Sequence, residues 1–185
     1  MIFNLREVVL RPVEPRDVDA LYEFRNDGDV TKHLVGFSEG FSRENLSAWI
    51  LAHENNQREA LWAIAEKESD RCVGHVALYD IDQHAGSAEF GIVLARRCWG
   101  KGFGRKATVT VIDWGLRQLN LHRICLNVLA TNARAIHLYE SMGFRQEGRL
   151  REAGFRDGRY EDVLVMGILQ DEWLQQTNQA VVVAP

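Results

Sequence analysis

The spacing of apolar residues switches several times along the chain between a strand period and a helix period. Val109, Ile112 and Leu116 recur at intervals of three and four residues, which predicts an amphipathic helix. Strands are predicted where shorter apolar runs lie between polar turns, at 61–65, 72–79, 88–94 and 124–128. Further helices are predicted from apolar faces with helical spacing at about 15–25, 42–55 and 132–142.

The order of these elements indicates an α/β fold with one mixed sheet. A short strand at 8–11 comes first, and a hairpin of two strands at about 144–155 and 160–169 comes last. Three central strands form a meander, and a strand–helix–strand crossover follows, so the sheet has antiparallel and parallel parts. We expect residues 1–173 to form a single domain and residues 174–185 to be a flexible tail.

A glycine cluster lies between the third central strand and the long helix. Gly100, Gly102 and Gly104 would let the backbone approach a phosphate closely, and a helix N-terminus offers free N–H groups with partial positive charge. Five cations stand nearby, namely Arg96, Arg97, Lys101, Arg105 and Lys106. The cluster fits neither the Walker pattern nor the dinucleotide-binding pattern. It therefore predicts another phosphate-bearing ligand, unless the glycines only serve a flexible turn.

Three stretches resemble the GNAT family of N-acetyltransferases, and the resemblance covers about residues 7–170. Residues 100–104 (GKGFG) are similar to the family loop that binds the pyrophosphate of acetyl-CoA. Residues 88–94 (AEFGIVL) resemble the strand beside the pantetheine arm, and residues 132–144 (NARAIHLYESMGF) resemble the second motif. The most similar branch holds the ribosomal-protein N-terminal and spermidine acetyltransferases. The resemblance implies a mostly antiparallel sheet with splayed central parallel strands and helices on both faces.

The same resemblance implies acetyl-CoA as cosubstrate, with no metal ion. The family pattern often has Gln or Arg where Trp99 stands, and Arg97 also satisfies the spacing, so two registers are open. The register of Trp99 is preferred because it places Gly104 at the start of the helix. Asn132 matches a residue that touches the cofactor, and it also suits a helix cap. The predicted cofactor residues are Ile92, Val93, Leu94, Trp99, Gly100, Lys101, Gly102, Phe103, Gly104, Arg105, Asn132 and Arg134.

Acetyl transfer to an amine requires a neutral amine and a proton for the departing thiolate. A free alkylamine has a pKa near 10.4 and is mostly charged at pH 7. Glu89 lies on the strand assigned to the cofactor and is the first candidate for a general base; otherwise it pairs with a cation or orients the substrate. His75 and His84 are secondary candidates. The resemblance assigns the proton donor to Tyr139, which otherwise belongs to the core.

Composition narrows the partners and the compartment. The formal net charge is −4, which implies no general affinity for nucleic acid. The N-terminus does not read as a secretory signal, and the apolar run at 180–184 is too short to cross a membrane. Cys72, Cys98 and Cys125 form neither a metal-type pair nor a disulfide framework, so a cytoplasmic location is expected. The resemblance also suggests a homodimer.

The acceptor is less well defined than the donor. Residues 14–59 contain ten acidic and five basic residues, which favours a small cationic amine such as a polyamine. However, the segment 34–39 lacks the paired acids of spermidine acetyltransferases. An amino sugar and the α-amine of a protein chain are the alternative acceptors, and a non-catalytic sensor of coenzyme A is the alternative function. Because both the loop and Tyr139 are present, the sequence predicts an acetyl-CoA-dependent N-acetyltransferase acting on a small primary amine.

Overall fold

A single mixed sheet forms the centre of the computed structural model, which describes residues 1–36, 40–54 and 56–182. Its eight strands there are β1 (Phe3–Asn4), β2 (Val8–Arg11), β3 (Ala60–Glu66), β4 (Cys72–Asp82), β5 (Ser87–Leu94), β6 (Arg123–Leu129), β7 (Arg145–Arg156) and β8 (Arg159–Leu169). Their spatial order is β1-β2-β3-β4-β5-β6-β8-β7. Strands β5 and β6 are parallel, and the other neighbours are antiparallel. This confirms the predicted sheet.

Helices cover both faces of this sheet. In the described ranges they are α1 (Val18–Arg25), α2 (Gly28–Thr31), α3 (Arg43–Glu54), α4 (Phe103–Arg117), α5 (Ala133–Glu140) and α6 (Gln170–Val182). One hydrophobic core lies between the sheet and α4, α5 and α6, and a second lies between the sheet and α1 and α3. None of the described helices has the length and apolar character needed to cross a bilayer.

The hydrophobic pattern explains how these layers pack. Strand β4 is buried at seven successive positions, from Cys72 to Leu78, because helices cover both of its faces. The predicted apolar stripe of α4 faces the sheet, where Ile112 and Leu116 are fully buried. At Gly115 the helix comes so close that a Cβ atom would lie 2.8 Å from Leu78 Cδ1. Glycine at this position therefore sets the distance between helix and sheet.

The parallel strands β5 and β6 separate after a short paired segment. Their register runs only from Ser87↔Arg123 to Glu89↔Cys125. Beyond Glu89, strand β5 continues to Leu94 with β4 as its partner, while β6 continues with β8. A gap therefore opens in the middle of the sheet, and one edge of β5 is left without a strand partner.

Helix α6 continues to Val182 and so extends into the segment from residue 174 for which a tail was predicted. Its Trp173 is buried, and the indole donates a 2.9 Å hydrogen bond to Asp113 Oδ1. One turn later, Thr177 Oγ1 accepts a 2.9 Å hydrogen bond from Arg117 Nη2. Both partners lie on α4, so this docking depends on contacts distant in sequence. Residues 183–185 of the predicted tail and 37–39 of the acid-poor segment lie outside the described residues.

A buried ion pair joins strand β2 to the turn that precedes α1. Arg11 Nη1 and Nη2 donate to the two carboxylate oxygens of Asp17 at 2.8 and 2.9 Å. Arg11 Nε donates to Asp70 Oδ1 at 2.7 Å, and the Glu14 N–H donates to Asp17 at 2.9 Å. Hydrogen bonding to Asp17, and then to Asp70, raises the pKa of Arg11 above its ordinary value. Every charged atom of the pair thus has a partner, as a buried pair requires.

Candidate active site

The predicted cofactor residues meet at the gap between β5 and β6. Ile92 and Leu94 pack toward the α4 side of the sheet, and Val93 packs toward the α1–α3 side. Their backbone follows the edge of β5 that has no strand partner. The indole Nε1 of Trp99 donates a 2.9 Å hydrogen bond to the carbonyl of Leu94. This bond fixes the start of the glycine loop against the end of the free edge.

The glycine loop leaves an open space in front of helix α4. Gly100 and Gly102 have φ values of 77° and 79°, a left-handed conformation that favours glycine. A Cβ atom built at either position would meet no atom within 4 Å. Gly102 is the N-cap residue of α4, so the first N–H groups of the helix, beginning with Phe103, have no intrahelical partners. Open space and free donors at a positive helix end suit a phosphate.

Cations from α4, from α5 and from the loop itself lie near this open space. Arg105 Nη1 donates a 2.8 Å hydrogen bond to Ser141 Oγ, which ties the first turn of α4 to the end of α5. The guanidinium of Arg134 lies 5.5 Å from the ring centroid of Trp99. Lys101, in the loop itself, is exposed. The structure therefore collects three of the predicted cationic residues around the open space.

Two other basic residues that the sequence places near the loop are engaged elsewhere. Arg96 forms an ion pair with Asp29 of α2, and Lys106 forms one with Glu7. Exposed pairs of this kind contribute little to stability, but they direct charge away from the loop. The sequence count of five cations therefore overstates the positive charge that faces the open space.

Tyr139 lies on α5 against the strand that borders the gap. Its ring packs on Phe90 of β5, with centroids 6.2 Å apart, and on Phe144 at 5.8 Å. Burial raises the pKa of Tyr139 to about 12. No residue in the described part of the chain forms a hydrogen bond with its hydroxyl group. At neutral pH the phenol therefore keeps its proton.

Asn132 is the N-cap of helix α5, and its side chain accepts a 3.2 Å hydrogen bond from the Ala135 N–H.

Glu89 lies on the opposite face of the sheet from Tyr139. Successive residues of a strand point to opposite faces, so Phe90 faces Tyr139 while Glu89 faces the α1–α3 side. Asn127 Nδ2 of β6 donates a 3.1 Å hydrogen bond to Glu89 Oε1. Glu89 is also the last residue of β5 that pairs with β6. Its carboxylate is therefore held where the gap begins.

The two secondary histidine candidates do not reach this position. His75 is only 3% exposed, and neither ring nitrogen has a hydrogen-bond partner. Burial, together with the nearby Arg25 and His53, holds the pKa of His75 well below its ordinary value. His84 lies in the turn before β5, at the end of the strand away from the gap. Glu89 is therefore the candidate base that the structure places at the gap.

Comparison with known proteins decides the family. The acetyltransferase (GNAT) domain family matches residues 7–145 of the chain. The chain belongs to the GNAT family. As a member, it is an acetyl-CoA-dependent N-acetyltransferase. This outcome confirms the resemblance read from the glycine loop, the β5 strand and the α5 segment.

Relatives within the GNAT family cover almost the whole chain. The spermidine N(1)-acetyltransferase of Vibrio cholerae is 33% identical over 173 residues, covering 93% of this chain and 98% of that protein. The spermidine N(1)-acetyltransferase of Escherichia coli K12 is 31% identical, covering 94% of this chain and 91% of that protein. A crystal structure of the Vibrio cholerae spermidine N-acetyltransferase with CoA and spermine has a TM-score of 0.84 at 33% identity, covering 91% of this chain and 98% of that chain.

Sequence analysis did not fix which residues share the face of the sheet with Glu89. Asn127 supplies the hydrogen bond to its carboxylate, and Tyr79 of β4 lies beside it in the strand register. Arg25 and Trp49 come from α1 and α3 and cover the same face. These residues carry no motif, and they meet only through the fold. Within the described residues, no group of three or more metal-ligating side chains was found.

Proposed function

We propose that the protein transfers the acetyl group of acetyl-CoA to the primary amine of a small molecule. The observation that carries this proposal is the arrangement at the gap. Tyr139 and Glu89 lie on opposite faces of the sheet, beside the same point of separation between β5 and β6. Acetyl-CoA held on the α4–α5 face and an amine held on the α1–α3 face can therefore meet through the gap. Tyr139 lies on the first face as a possible proton donor, and Glu89 lies on the second as a possible base.

The residues around the gap fit acetyl-CoA. The free edge of β5 at Ile92 and Val93 suits the amide groups of a pantetheine arm, and the open space at Gly100 and Gly102 suits a pyrophosphate. Lys101, Arg105 and Arg134 would add positive charge there. When bound, acetyl-CoA supplies the activated thioester. The chain itself contributes alignment, because strand edge and helix end fix the cosubstrate at two separate places.

The two ionisable groups at the gap have distinct roles in this proposal. Glu89 Oε2 accepts the proton of the incoming ammonium, directly or through a water molecule, while Asn127 holds Oε1 and fixes the carboxylate. Tyr139 keeps its proton on the phenol oxygen and delivers it to the departing sulfur. The apolar contacts with Phe90 and Phe144 keep the phenol neutral and oriented. These roles divide proton removal and proton donation between the two faces.

A small acceptor is favoured over a polypeptide because the β7–β8 hairpin bridges the acceptor face. Arg156, at the end of the β7–β8 hairpin, donates to the carbonyl oxygens of Leu34 and Gly36. The segment that holds these carbonyls is adjacent to the glycine loop, since His33 stacks on Trp99 with centroids 5.6 Å apart. The hairpin therefore reaches across the gap to the α1–α3 side. The relatives named as spermidine acetyltransferases make polyamines the first acceptors to assay.

A panel of acceptors tests this function. Thiol release from acetyl-CoA is followed with diamines, spermidine, amino sugars and amino acids, and with peptides that have free N-termini. We expect turnover with at least one small amine and no turnover with the peptides. Turnover with the peptides alone would replace the small acceptor by a protein N-terminus. A protein that binds acetyl-CoA but releases no thiol with any amine would instead be a non-catalytic sensor.

The glycine loop gives a second test, which concerns the cosubstrate. We expect Gly102→Val to weaken acetyl-CoA binding by about tenfold or more, because a branched side chain at positive φ distorts the loop and fills the open space. Calorimetric titration measures the change. Gly158→Val is the matched control, since Gly158 has a φ of 76° and equally open surroundings but lies in the β7–β8 turn. Equal affinities of the two variants would show that the loop does not bind phosphate.

A further inference from the structure

Arg25 is half-buried, and among the described residues it lacks the carboxylate partners that Arg11 has. It ends helix α1, and its Cζ lies 4.3 Å from the ring centroid of Phe41 and 4.7 Å from that of Trp49. Nε and Nη1 are enclosed without any hydrogen-bond partner. Across the described residues, no carboxylate forms an ion pair with this guanidinium. The group remains charged at every physiological pH, so among the described residues this cation has no carboxylate partner.

The aromatic rings offset only part of the cost of this burial. A guanidinium between two ring faces gains cation–π attraction, but its planar N–H donors are still unsatisfied. Burial lowers the pKa of Arg25, and the group that opposes this effect is the phenol of Tyr79 and not a carboxylate. Arg11, by contrast, is matched by two carboxylates. Among the described residues, carboxylates thus neutralise the buried Arg11 but not the half-buried Arg25.

The position of Arg25 relates it to the acceptor. Trp49, which stacks on Arg25, also stacks on His75 at 5.3 Å. His75 and Tyr79 lie on the face of β4 that carries Glu89 on the neighbouring strand, in the register Tyr79↔Glu89. Arg25 therefore belongs to the face on which the acceptor amine is proposed to bind. The unpartnered ring nitrogens of His75 add to the unsatisfied polar groups of this face.

The acids of the α1–α3 region do not compensate for this cation. The sequence shows an excess of acids there, but most of them are used within the fold. The acids engaged in ion pairs are Glu14, Asp17, Asp19, Glu23 and Asp29, and Asp27 caps α2. Glu59 Oε2 lies 2.8 Å from His53 Nε2 but has no hydrogen-bond partner among the described residues. The free negative charge available to a polycation is therefore smaller than the composition of residues 14–59 indicates.

We propose that Arg25 binds a carboxylate of the acceptor, so that the preferred acceptor is a primary amine that also carries a carboxylate. This inference rests on the proposed acetyl transfer and narrows its substrate class. Nη2, the guanidinium nitrogen that is not enclosed, would donate to the carboxylate while Glu89 receives the amine at the other end of the molecule. A polyamine has no anionic group to offer to Arg25. Opposite charges at Arg25 and Glu89 thus orient a zwitterionic acceptor across the face.

Matched acceptors that differ by one carboxylate test this directly. Lysine and 1,5-diaminopentane form one pair, and ornithine and 1,4-diaminobutane form another. We expect kcat/KM of the wild-type protein to be about tenfold or more higher for the amino acid of each pair. Arg25→Gln should reduce that ratio by about 10- to 100-fold. Arg25→Lys keeps the charge and should reduce the ratio by less.

Arg43→Gln is the matched control, because Arg43 also stacks on an aromatic ring, Tyr22 at 4.1 Å, but pairs with the exposed Asp19. It should leave the ratio unchanged. Thermal unfolding shows which variants are folded, and Arg25→Lys serves if the Gln variant is not. A wild-type preference for the diamines, or a ratio that Arg25→Gln and Arg25→Lys do not alter, overturns the role of Arg25 while acetyl transfer stands. Failure of every amine to release thiol overturns the proposed function and, with it, this inference.

Discussion

Replacing Tyr139 with Phe is expected to lower kcat by about 10²- to 10⁴-fold, the usual scale for losing a general acid. The change removes one hydroxyl group and keeps the ring contacts with Phe90 and Phe144. Affinity for acetyl-CoA should therefore change little, and thermal stability should be preserved. Rate and binding are measured on the same variant with an acceptor identified by the amine panel. Tyr160→Phe, at an exposed position, controls for loss of a phenol outside the gap.

The pH profile of the wild-type protein gives an independent test of Tyr139. Its protonated form is the active one, and its pKa is raised to about 12, so the proton is retained at all pH values below about 11. The acceptor amine, by contrast, becomes neutral as the pH approaches about 10. We expect kcat/KM to rise with pH up to about 10 without a falling limb. A near-normal kcat for Tyr139→Phe would leave the residue with a packing role alone.

Replacing Asp17 with Asn is expected to destabilise the folded protein by roughly 3–5 kcal/mol, because it leaves the buried charge of Arg11 without its main partner. Asp17 is only 3% exposed and accepts both terminal nitrogens of Arg11. Hydrogen bonding from water cannot replace these contacts at a position so deeply buried. Urea denaturation followed by circular dichroism gives the change in the free energy of unfolding.

Asp19→Asn is the comparison for this measurement. Asp19 pairs with Arg43 at 2.7 Å, but both side chains are more than half exposed, so the loss should be below about 1 kcal/mol. The two substitutions are chemically identical and lie two residues apart. Similar losses of stability for both would show that the buried pair of Arg11 and Asp17 contributes no more to stability than the exposed pair.

Secondary structure could be predicted where the apolar residues that define the pattern are also the residues of the core. Helix α4 and strands β3 to β6 bury the residues that define their periods, so the pattern and the structure coincide. Helix α6 was missed because its sequence after Trp173 is polar, and it is held by Asp113 and Arg117 of α4. Helix α2 was missed because it has only four residues and depends on Asp27 as its cap. Strand β1 has two residues, too few to show a period.

The donor side of the site could be predicted from the sequence better than the acceptor side could. Gly102 and Tyr139 lie in contiguous segments with recognisable spacing, so a short stretch of sequence predicts them. Arg25, Trp49 and Tyr79 come from two helices and a strand that are distant in sequence. Their importance depends on an unpaired charge, and charge pairing is visible only when partners have been assigned in three dimensions. Sequence counts of acids and bases therefore do not show which charges of the acceptor face are paired.

The separation of β5 and β6 also bears on how this protein could change its substrate over time. The loop and strand edge that fit the donor lie toward one side of the sheet, while α1 and α3 shape the other. Substitutions in these two helices can therefore change which acceptor is bound without altering the binding of acetyl-CoA. The same geometry allows both molecules to be present at once, so the acetyl group need not rest on the protein between them. An inhibitor that joins coenzyme A to an amine through a short linker would pass through the gap between β5 and β6 and bind to both faces of the sheet.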